Sequence, residues 1–428
     1  MSEFPRISVK ALIVSGEAEL KTGPFGTQLK ASEYTVQGTP VINVRNIGLG
    51  SIRADKLEFI SPITRDRLCT HLLRTGDIVF GRKGAVERHV LIRKQQDGWF
   101  QGSDCLRLRF TSPRIESSFA SCFFLTSEHQ RWMMNQCSHG ATMASLNQGI
   151  LERIDLPVPP LPVQQKIASI FSTYDELIET KQRRIQILEE MARSLYREWF
   201  VAFRFPRHEK HSRATSPLGE IPQGWQITDL ESICAAKNGV QTGPFGSQLH
   251  ESDYSDEGVP VVMPKNLIGF RIRTDGIAHI PEATAEGLSR HRMQPSDIVY
   301  GRRGDIGRRA FVMPHQAGWF CGTGCLRIRP NPKAVNGWFL FNYLGQDDVL
   351  GMIAGRAQGV TMPNLNTGML ASLPVRLPPR ELQDRFAQLT FPMAETREAL
   401  TATNENLRST RDLLLPRLLS GQITLETH

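Results

Sequence analysis

The spacing of apolar and polar positions from residue 163 to residue 201 predicts a long helix. Apolar side chains recur there at alternating steps of three and four residues, the period of the a/d seam of a coiled coil. The seam positions, with Lys181 as the one polar interruption, are Phe171, Tyr174, Ile178, Ile185, Leu188, Ala192, Leu195 and Trp199. The run contains no glycine, and Pro162 stands just ahead of it. We therefore predict an unbroken helix of about 55 Å at about 1.5 Å per residue, either paired with a second helix or packed on a globular core.

A weaker version of the same pattern runs from residue 381 to residue 419. Threonines fill alternate seam positions at 396, 403 and 410. The apolar stripe consists of Phe386, Leu389, Met393, Leu400, Leu407 and Leu414. Pro392 cannot donate a backbone hydrogen bond, which predicts a kink or an interrupted start. We expect the two helices to pair antiparallel, because the chain between them then forms the return path.

The segment before each helix is a repeat of the other. KTGPFGTQL returns as QTGPFGSQL, with Gly23 matched to Gly243 at a shift of 220 residues. The register holds through GDIVFGRKG and SDIVYGRRG. TMASLNQGIL from Thr142 and TMPNLNTGML from Thr361 follow at a shift of 219 residues. A period this long predicts two whole domains rather than the stacked units of a solenoid.

Each copy mixes strand and helix signals. Short apolar runs between Gly and Pro predict strands, for example at 40–44 and 77–82, and helical spacing recurs at 115–136 and 338–353. The predicted fold class is α+β: two homologous α/β domains with mostly antiparallel or mixed sheets, joined by two long antiparallel coiled-coil helices about a pseudo-twofold axis. The predicted segments are a first domain (1–160), a first helix (161–203), a linker (204–224), a second domain (225–379) and a second helix with the C-terminal tail (380–428).

Composition narrows the class of protein. The chain of 428 residues has a net charge of +8 and a pI near 9.2, a balance that suits a polyanionic partner such as nucleic acid. Its mean hydropathy is −0.28, and no apolar run is long enough to cross a bilayer. The first residues, MSEFPRISVK, lack the apolar core of a signal peptide. These features predict a cytoplasmic protein, and its seven unpatterned cysteines are typical of reduced thiols.

Further segments complete a resemblance to a known family. They are LPVPPLPVQQKI and LPPRELQDRF at the domain-to-helix junctions, LYREWFVAFRFP at the end of the first helix, SPLGEIPQGW opening the second domain, and RDLLLPRLLSGQI near the C-terminus. Together with the GPFG loops, in this order and spacing, they make the chain similar to the specificity (S) subunits of type I restriction-modification systems. The first domain departs from the pattern, because it lacks the GEIPxGW opening of the second.

The resemblance implies a non-catalytic DNA-recognition subunit. Each of two target recognition domains would bind one half of a bipartite site in double-stranded DNA, and the helices would fix the spacing between them. The helices would also dock two methyltransferase (modification) subunits, and restriction (motor nuclease) subunits would join the full complex. We predict Tyr196, Trp199 and Phe200 as partner-binding residues, because their apolar surface exceeds what a two-helix seam can bury.

Basic loops bounded by glycine are the first candidates for DNA contact. GRKG from Gly81 and GRRG from Gly301 each follow a predicted strand, and arginine pairs with guanine edges or with phosphate. Residues that flank the Gly-Pro-Phe-Gly turns are second candidates. The full set is Arg82, Lys83, Arg302, Arg303, Arg308, Arg309, Thr22, Gln28, Lys30, Thr242, Gln248 and His250. A solvated turn is the alternative for the basic loops, and we predict that Phe25 and Phe245 are core residues.

The sequence gives less support to enzyme chemistry. FCGTG from Phe320 mimics the F-x-G-x-G loop of adenosylmethionine-dependent methyltransferases, but its repeat partner from Phe100 is FQGSD, and no Asn/Asp-Pro-Pro-aromatic motif occurs. Cys321 and Cys325 have no further Cys or His at zinc spacing, so neither a metal nor a cofactor is predicted. Two alternatives stay open: a freestanding bipartite DNA-binding regulator, and a DNA methyltransferase in its own right.

Overall fold

The computed structural model describes residues 4–137, 144–302, 307–356, 364–423 and 425. The chain divides into two compact units. The first unit combines residues 1–183 with residues 400–428, and the second comprises residues 184–399. Each unit therefore contains one copy of the repeat together with part of each long helix.

The first unit is built on two larger sheets and a two-stranded sheet of its first and last strands. Its strands are β1 (Arg6–Ser8), β2 (Ala18–Thr22), β3 (Tyr34–Thr35), β4 (Thr39–Ile42), β5 (Leu49–Gly50), β6 (Glu58–Ile60), β7 (Ile78–Gly81), β8 (His89–Leu91), β9 (Phe100–Gln101), β10 (Cys105–Phe110) and β11 (Asp155–Pro157). Its helices are α1 (Val9–Val14), α2 (Pro62–Arg67), α3 (Ser117–Phe124), α4 (Ser127–Cys137), α5 (Gln148–Glu152) and the beginning of α6 (Leu161–Tyr196). The sheet orders are β2-β10-β7-β8-β5 and β3-β6-β4-β9. Only β4 with β9 and β5 with β8 pair in parallel among the strand pairs described in this unit.

The second unit repeats this plan. Its strands are β12 (Arg213–Ser216), β13 (Gly219–Pro222), β14 (Gln226–Asp229), β15 (Val240–Thr242), β16 (Val259–Val262), β17 (Leu267–Ile268), β18 (Arg271–Ile272), β19 (Ala278–Ile280), β20 (Ile298–Gly301), β21 (Arg309–Phe311), β22 (Phe320–Cys321), β23 (Cys325–Ile328) and β24 (Pro374–Leu377). Its helices are α7 (Glu282–Gly287), α8 (Gly337–Tyr343), α9 (Asp347–Arg356), α10 (Thr367–Ala371) and the first part of α11 (Arg380–Leu419). The sheet β15-β23-β20-β21 matches β2-β10-β7-β8, and β19-β16-β22 matches β6-β4-β9. The α+β prediction with mixed sheets is confirmed.

Each domain is closed by pairing its first and last strands. β1 pairs antiparallel with β11, with Ile7 opposite Leu156. β14 pairs antiparallel with β24, with Ile227 opposite Arg376. The first domain thus has this opening strand without the GEIPxGW motif, whose GEIP residues form β13 of a separate hairpin in the second unit.

Within the first unit, the two long helices pack antiparallel. Asn404 in α11 donates a hydrogen bond from Nδ2 to the carbonyl oxygen of Ile178 in α6 at 3.3 Å. Arg411 and Asp175 form an ion pair at 2.7 Å. Residue numbers therefore rise along one helix as they fall along the other. The apolar contact at this end buries Ile167, Phe171, Leu415 and Leu418.

Within the second unit, the later part of α6 also runs antiparallel to the early part of α11. Glu189 and Arg397 approach to 3.6 Å, and the rings of Tyr196 and Phe386 lie 5.6 Å apart. Helix α11 continues through Pro392 without an interrupted start. Its buried stripe in this unit steps by four residues. That stripe is Phe386, Thr390 and Ala394, so Leu389, predicted on the stripe, faces solvent instead.

Each domain core holds one buried carboxylate matched to arginine. The oxygens of Asp77 accept from Arg109 at 2.6 and 2.7 Å, and those of Asp297 accept from Arg329 at 2.8 and 2.7 Å. Both carboxylates are 1% exposed. Arg327, also buried, lies 3.9 Å from Asp297, and burial lowers its pKa. In such pairs each charge compensates the other. Removing one partner is strongly destabilising, because it leaves an unpaired charge in the interior.

Candidate nucleic-acid interface

In the first domain, the basic loop lies between two other loops. It leaves β7 at Gly81, and the Arg82 N–H donates to the carbonyl oxygen of Asp104 at 2.8 Å. The carbonyl oxygen of Arg82 accepts from the Leu146 N–H at 2.8 Å. Lys83 is exposed, and its Nζ lies 3.4 Å from the Asp104 carboxylate. Backbone hydrogen bonds on both sides therefore fix the position of the loop that carries the two basic side chains.

The Gly-Pro-Phe-Gly loop of the first domain meets the same place. The Gly23 N–H donates to the carbonyl oxygen of Cys105 at 2.9 Å. A Cβ atom at Gly23 would lie 1.9 Å from the oxygen of Gly102, so only glycine allows this approach. Thr22 accepts a hydrogen bond at its hydroxyl from Gln148 at 3.1 Å. We call the converging loops 22–30, 82–84, 102–104 and 144–148 the first loop cluster.

The second domain contains an equivalent second loop cluster, formed by residues 242–250, 301–302, 322–324 and 364–367. The Gly243 N–H donates to the carbonyl oxygen of Cys325 at 2.9 Å, and the Arg302 N–H donates to that of Gly324 at 2.8 Å. Arg302 also donates from its side-chain Nε to the carbonyl oxygen of Leu365 at 3.0 Å. Arg303, predicted to contact DNA, lies outside the described residues.

Helix caps explain the repeated Leu-Asn motif in these clusters. Asn147 accepts a hydrogen bond at Oδ1 from the Ile150 N–H at 2.9 Å and so caps α5. Asn366 accepts from the Met369 N–H at 2.9 Å and caps α10 in the same way. An asparagine at this position satisfies a backbone donor that the first helical turn leaves without a partner. The caps fix the chain on one side of each basic loop.

The flanking candidates have matched environments in both clusters. Gln28, Lys30, Gln248 and His250 are exposed, and Thr22 and Thr242 are half-buried. Each glutamine also holds its own turn, because its Oε1 accepts the N–H of the phenylalanine three residues earlier, at 3.3 Å in the first domain and 3.4 Å in the second. Nine of the twelve predicted contact residues lie in the two clusters. Arg308 lies beside the second cluster, where its carbonyl oxygen accepts from the Gly301 N–H at 2.8 Å. The other two are Arg303 and Arg309.

Arg309 does not lie on this surface. Its side chain is only 6% exposed, with the guanidinium 4.7 Å from the Phe270 ring centroid and 5.1 Å from that of Phe341. Its Nε donates to the carbonyl oxygen of Phe341 at 3.3 Å, and burial lowers the pKa of Arg309. The prediction that Arg309 contacts DNA is therefore corrected, whereas the neighbouring Arg308 is exposed.

The repeat explains how an arginine came to be buried there. The equivalent residue in the first domain is His89, which is buried and hydrogen-bonded to Ser121 at 2.8 Å. A Cβ atom at Gly345 would collide with the Arg309 guanidinium, so the glycine makes room for it. Four equivalent positions differ together. They are Gly50, His89, Ser121 and Leu125 in the first domain, and Phe270, Arg309, Phe341 and Gly345 in the second.

The aromatic residues predicted to bind partners are also buried. Tyr196, Trp199 and Phe200 belong to the core of the second unit. The Phe200 ring lies 4.9 Å from that of Phe339 and 5.2 Å from that of Phe386. These side chains lie where α6 ends in a π-helical turn, Arg197–Val201, whose aromatic face packs against the second domain. They have no surface left for a partner, and the prediction is corrected.

Phe25 and Phe245 depart from the prediction in the opposite direction. Both were expected in the core, yet Phe25 is 61% exposed and Phe245 is 53% exposed. Each loop instead buries one leucine, Leu29 in the first domain and Leu249 in the second. The phenylalanine ring of each loop stays in solvent. Asp104 and Gln148 are further polar members of the first cluster that sequence pattern did not single out. Both residues lie far from the basic loop in the sequence, so no local pattern predicts that they are its neighbours.

Buried histidines under both clusters carry no charge at neutral pH. Burial, with the nearby Lys21 and Arg107 cations, lowers the pKa of His71 to about 4. Burial and the cations Arg290 and Arg327 lower the pKa of His291 to about 4 as well. His71 and His291 therefore add no positive charge to the two domains near neutral pH.

The similarity of this chain to known proteins agrees with the repeated architecture. A family model described as Type I restriction modification DNA specificity domain matches residues 27–190 and again residues 222–407. The chain belongs to this family. Each of its two specificity domains contains one loop cluster, and each match also extends into the long helix that follows.

Relatives of these specificity domains span most of the chain. The type I restriction enzyme MjaIX specificity subunit of Methanocaldococcus jannaschii is 25% identical over 315 residues, which cover 73% of this chain and 70% of that protein. The HindI specificity subunit of Haemophilus influenzae is 20% identical over 410 residues, covering 82% and 87%. The crystal structure of an S subunit from M. genitalium shares the fold with a TM-score of 0.66 at 17% identity, covering 97% and 96%.

The described part of the chain contains neither a membrane-spanning helix nor a metal-binding group of side chains. No helix there is both long enough and apolar enough to span a membrane. Among the same residues, no group of three or more His, Cys, Asp or Glu side chains is arranged to hold a metal ion. The seven cysteines are all free thiols.

The glycine at the base of each Gly-Pro-Phe-Gly loop gives a prediction for the specificity domains. In Gly243→Ala, the new Cβ would lie 2.0 Å from the oxygen of Gly322, so we expect a loss of stability of about 1–3 kcal/mol and displacement of the loop. The measurement is the urea concentration at which the buried Met293 thioether becomes open to oxidation by hydrogen peroxide. Gly246→Ala is the matched control, since its Cβ would meet nothing within 4 Å. Equal behaviour of the two variants would contradict the role of the close approach.

Proposed function

We propose that this chain is the DNA-recognition subunit of a type I restriction-modification complex, in which each domain binds one half of a bipartite site in double-stranded DNA. One observation carries the proposal. The same cluster of four loops recurs in both domains, with exposed polar and basic side chains on a rigid backbone. Two copies of one contact surface suit a target of two half-sites, as two-domain and dimeric DNA-binding proteins use them.

The side chains in the clusters suit the chemistry of duplex DNA. Arginine and lysine neutralise phosphate charge, and arginine can also bind the O6 and N7 atoms of guanine. Glutamine can pair with adenine in the major groove. The set in each domain contains both types. In the first domain Lys83, Gln28 and Lys30 are exposed and Arg82 is half-buried. Affinity and sequence selection would then come from the same surface.

Chemistry on the DNA is assigned to other subunits. We propose that the chain itself is non-catalytic, that two methyltransferase subunits bind it and methylate adenine, and that restriction subunits join for cleavage. Purified chain, with and without the modification subunits, is incubated with DNA and a labelled methyl donor. Methylation that needs both components supports the proposal. Methylation by the chain alone would favour a methyltransferase, and sequence-selective binding without any effect of the modification subunits would favour a freestanding regulator.

Arg302 supplies a prediction about sequence recognition. If Arg302 binds a guanine, Arg302→Ala should weaken binding by about 1–3 kcal/mol and relax selection at one position of one half-site. If it binds phosphate, affinity should fall evenly across sequences and the salt dependence should flatten. Arg302→Lys separates these cases, because lysine replaces a phosphate contact better than a bidentate base contact. The measurement is binding of the complex to duplexes carrying single substitutions in the methylated motif. Arg82→Ala is the matched variant, and its effect should map to the other half-site.

Exposed apolar side chains on α6 replace the buried aromatics as proposed partner contacts. Ile187 and Met191 lie four residues apart on one helix face of the second unit and are both exposed. We expect the double change Ile187→Glu and Met191→Glu to weaken association with the modification subunits at least about tenfold, because a carboxylate cannot be buried cheaply in an apolar contact. Analytical ultracentrifugation of the mixed subunits measures this. Glu190→Ala, at an exposed polar residue beside them on the same helix, is the control, and an unchanged affinity of the double variant would refute the contact.

A further inference from the structure

The two Gly-Pro-Phe-Gly loops hold their phenylalanine rings in solvent in a fixed position. The carbonyl oxygen of Phe245 accepts from the N–H groups of Gln248 at 2.8 Å and Leu249 at 3.2 Å. Leu249 is buried beneath, and the close approach at Gly243 fixes the base of the loop. Phe25 has the same arrangement in the first domain, with distances of 2.7 and 3.1 Å. The exposure of the rings is therefore a property of a well-bonded turn.

This exposure recurs at equivalent positions of the two domains. Among the described residues of the two domains, several large apolar side chains are exposed. Phe25 and Phe245 are the only two of these that occupy equivalent positions. The highly exposed Val36, for example, matches Asp256. Leaving such a ring in water forgoes about 1.5–3 kcal/mol that burial would contribute. An apolar side chain kept outside in both copies indicates a contact that each domain makes when it functions.

The surroundings of the rings indicate what they contact. The Arg302 guanidinium carbon lies 5.7 Å from the centroid of the Phe245 ring, and His250 follows at the end of the same loop. Polar threonine and glutamine side chains complete the border of the cluster. A flat apolar ring beside cations on a basic surface complements a polyanion that also has aromatic rings, which describes the bases and phosphates of DNA. A purely apolar protein partner would leave the Arg302 cation without a counterpart.

We propose that Phe25 and Phe245 contact the bases of bound DNA, each ring stacking on, or inserting beside, one base step of its half-site. The inference rests on the proposed function and adds a mode of contact to it. Insertion of an apolar side chain partly unstacks a step and costs a few kcal/mol, less at flexible pyrimidine–purine steps. Each domain would thereby select for deformable DNA at a position where it makes no hydrogen bond to a base edge.

The test uses the complex of the full chain with its modification subunits. The probes are a fluorescein-labelled duplex carrying the methylated motif of the source genome, and the same duplex with both half-sites scrambled. We expect Phe245→Ala to weaken binding to the motif about 10-fold to 100-fold, in line with the loss of one base–aromatic contact, and to leave binding to the scrambled duplex within twofold. Phe25→Ala should do the same through the other half-site. Ile63→Ala, at another exposed apolar residue of the first domain, is the control and should bind as the unchanged chain does.

A spectroscopic arm tests the stacking itself. In Phe245→Trp, binding should be kept, and 2-aminopurine placed at successive positions of the half-site should change its fluorescence at one step that Phe245→Ala leaves unchanged. Motif affinity of Phe245→Ala within twofold of the unchanged chain would overturn the inference. So would a loss of modification-subunit binding in place of DNA binding, which would make the ring a protein contact. If the unchanged complex itself fails to distinguish the motif from the scrambled duplex, the proposed function fails, and the inference fails with it.

Discussion

Replacing Asp297 with alanine is expected to destabilise the second unit by about 3–5 kcal/mol. The change removes the carboxylate that accepts from Arg329 and from the N–H of Gln294, and it leaves Arg327 without its nearby charge. The buried Arg327 guanidinium and the half-buried Arg329 guanidinium would then face each other with fewer acceptors. Oxidation of Met293 in urea, described above, reports on this unit, and oxidation of the buried Met133 reports on the first.

The control for this change is an exposed ion pair in the same unit. Asp275 pairs with Arg273 on the surface, where such pairs contribute about 0–1 kcal/mol. Asp275→Ala should therefore leave the Met293 transition almost unmoved, and Asp297→Ala should leave the Met133 transition unmoved. A small effect of Asp297→Ala would mean that the buried arginines are satisfied by backbone carbonyl groups alone.

The first unit is expected to lose stability in mild acid before the second. Burial lowers the pKa of His89 to about 3, with a further contribution from His129, and burial beside Arg6 lowers the pKa of His129 to about 3. The folded state thus favours the neutral rings. Their contribution is complete above the unfolded-state pKa of about 6.5 and is lost as the pH falls toward the folded-state values, at about 1.4 kcal/mol per histidine for each pH unit.

The second domain lacks both of these histidines. Arg309 and Val349 stand at the equivalent positions, whereas His71 and His291 are shared and affect both units alike. Between pH 7.5 and pH 5.0, the first unit should therefore lose about 4 kcal/mol more than the second. The Met133 and Met293 oxidation transitions in urea at the two pH values measure the difference. His129→Val should remove about half of it, and parallel movement of the two transitions with pH would contradict the assignment.

The repeat made the fold predictable, because two divergent copies report the same alternation of apolar and polar positions twice. The mixed sheets, the long helix after each domain and the position of each basic loop after a strand could be predicted from this pattern. Antiparallel packing of the helices followed from chain connectivity. The polar residue buried in the seam of the first unit is Asn404 rather than Thr403, because the phase of a 3.6-residue helix drifts along a seven-residue pattern.

The aromatic side chains show what sequence pattern could not predict. The hydrophobicity of an aromatic ring predicts that its burial is favourable. It does not predict which surface of the protein will cover the ring. Trp199 is covered by a domain that follows it in the chain, and Phe25 is left uncovered because Leu29 fills the available space. Arg309 follows the same logic, since its site depends on Gly345 and Phe270, which lie far from it in sequence. Long-range packing decides the burial of Trp199 and Arg309, and a local turn that buries Leu29 decides the exposure of Phe25.

The composition of the first unit has a consequence for synthesis on the ribosome. Residues 400–428 belong to this unit, and Leu415 and Leu418 cover an apolar face formed by Phe119, Cys122 and Phe171. The ribosome completes residue 183 long before it reaches residue 400, an interval of about 10–40 s at about 5–20 residues per second. Throughout that interval the face is open to chaperones and to other nascent chains. The unit that is made first is therefore the last to finish folding, and a chain that stops within the second domain never completes it.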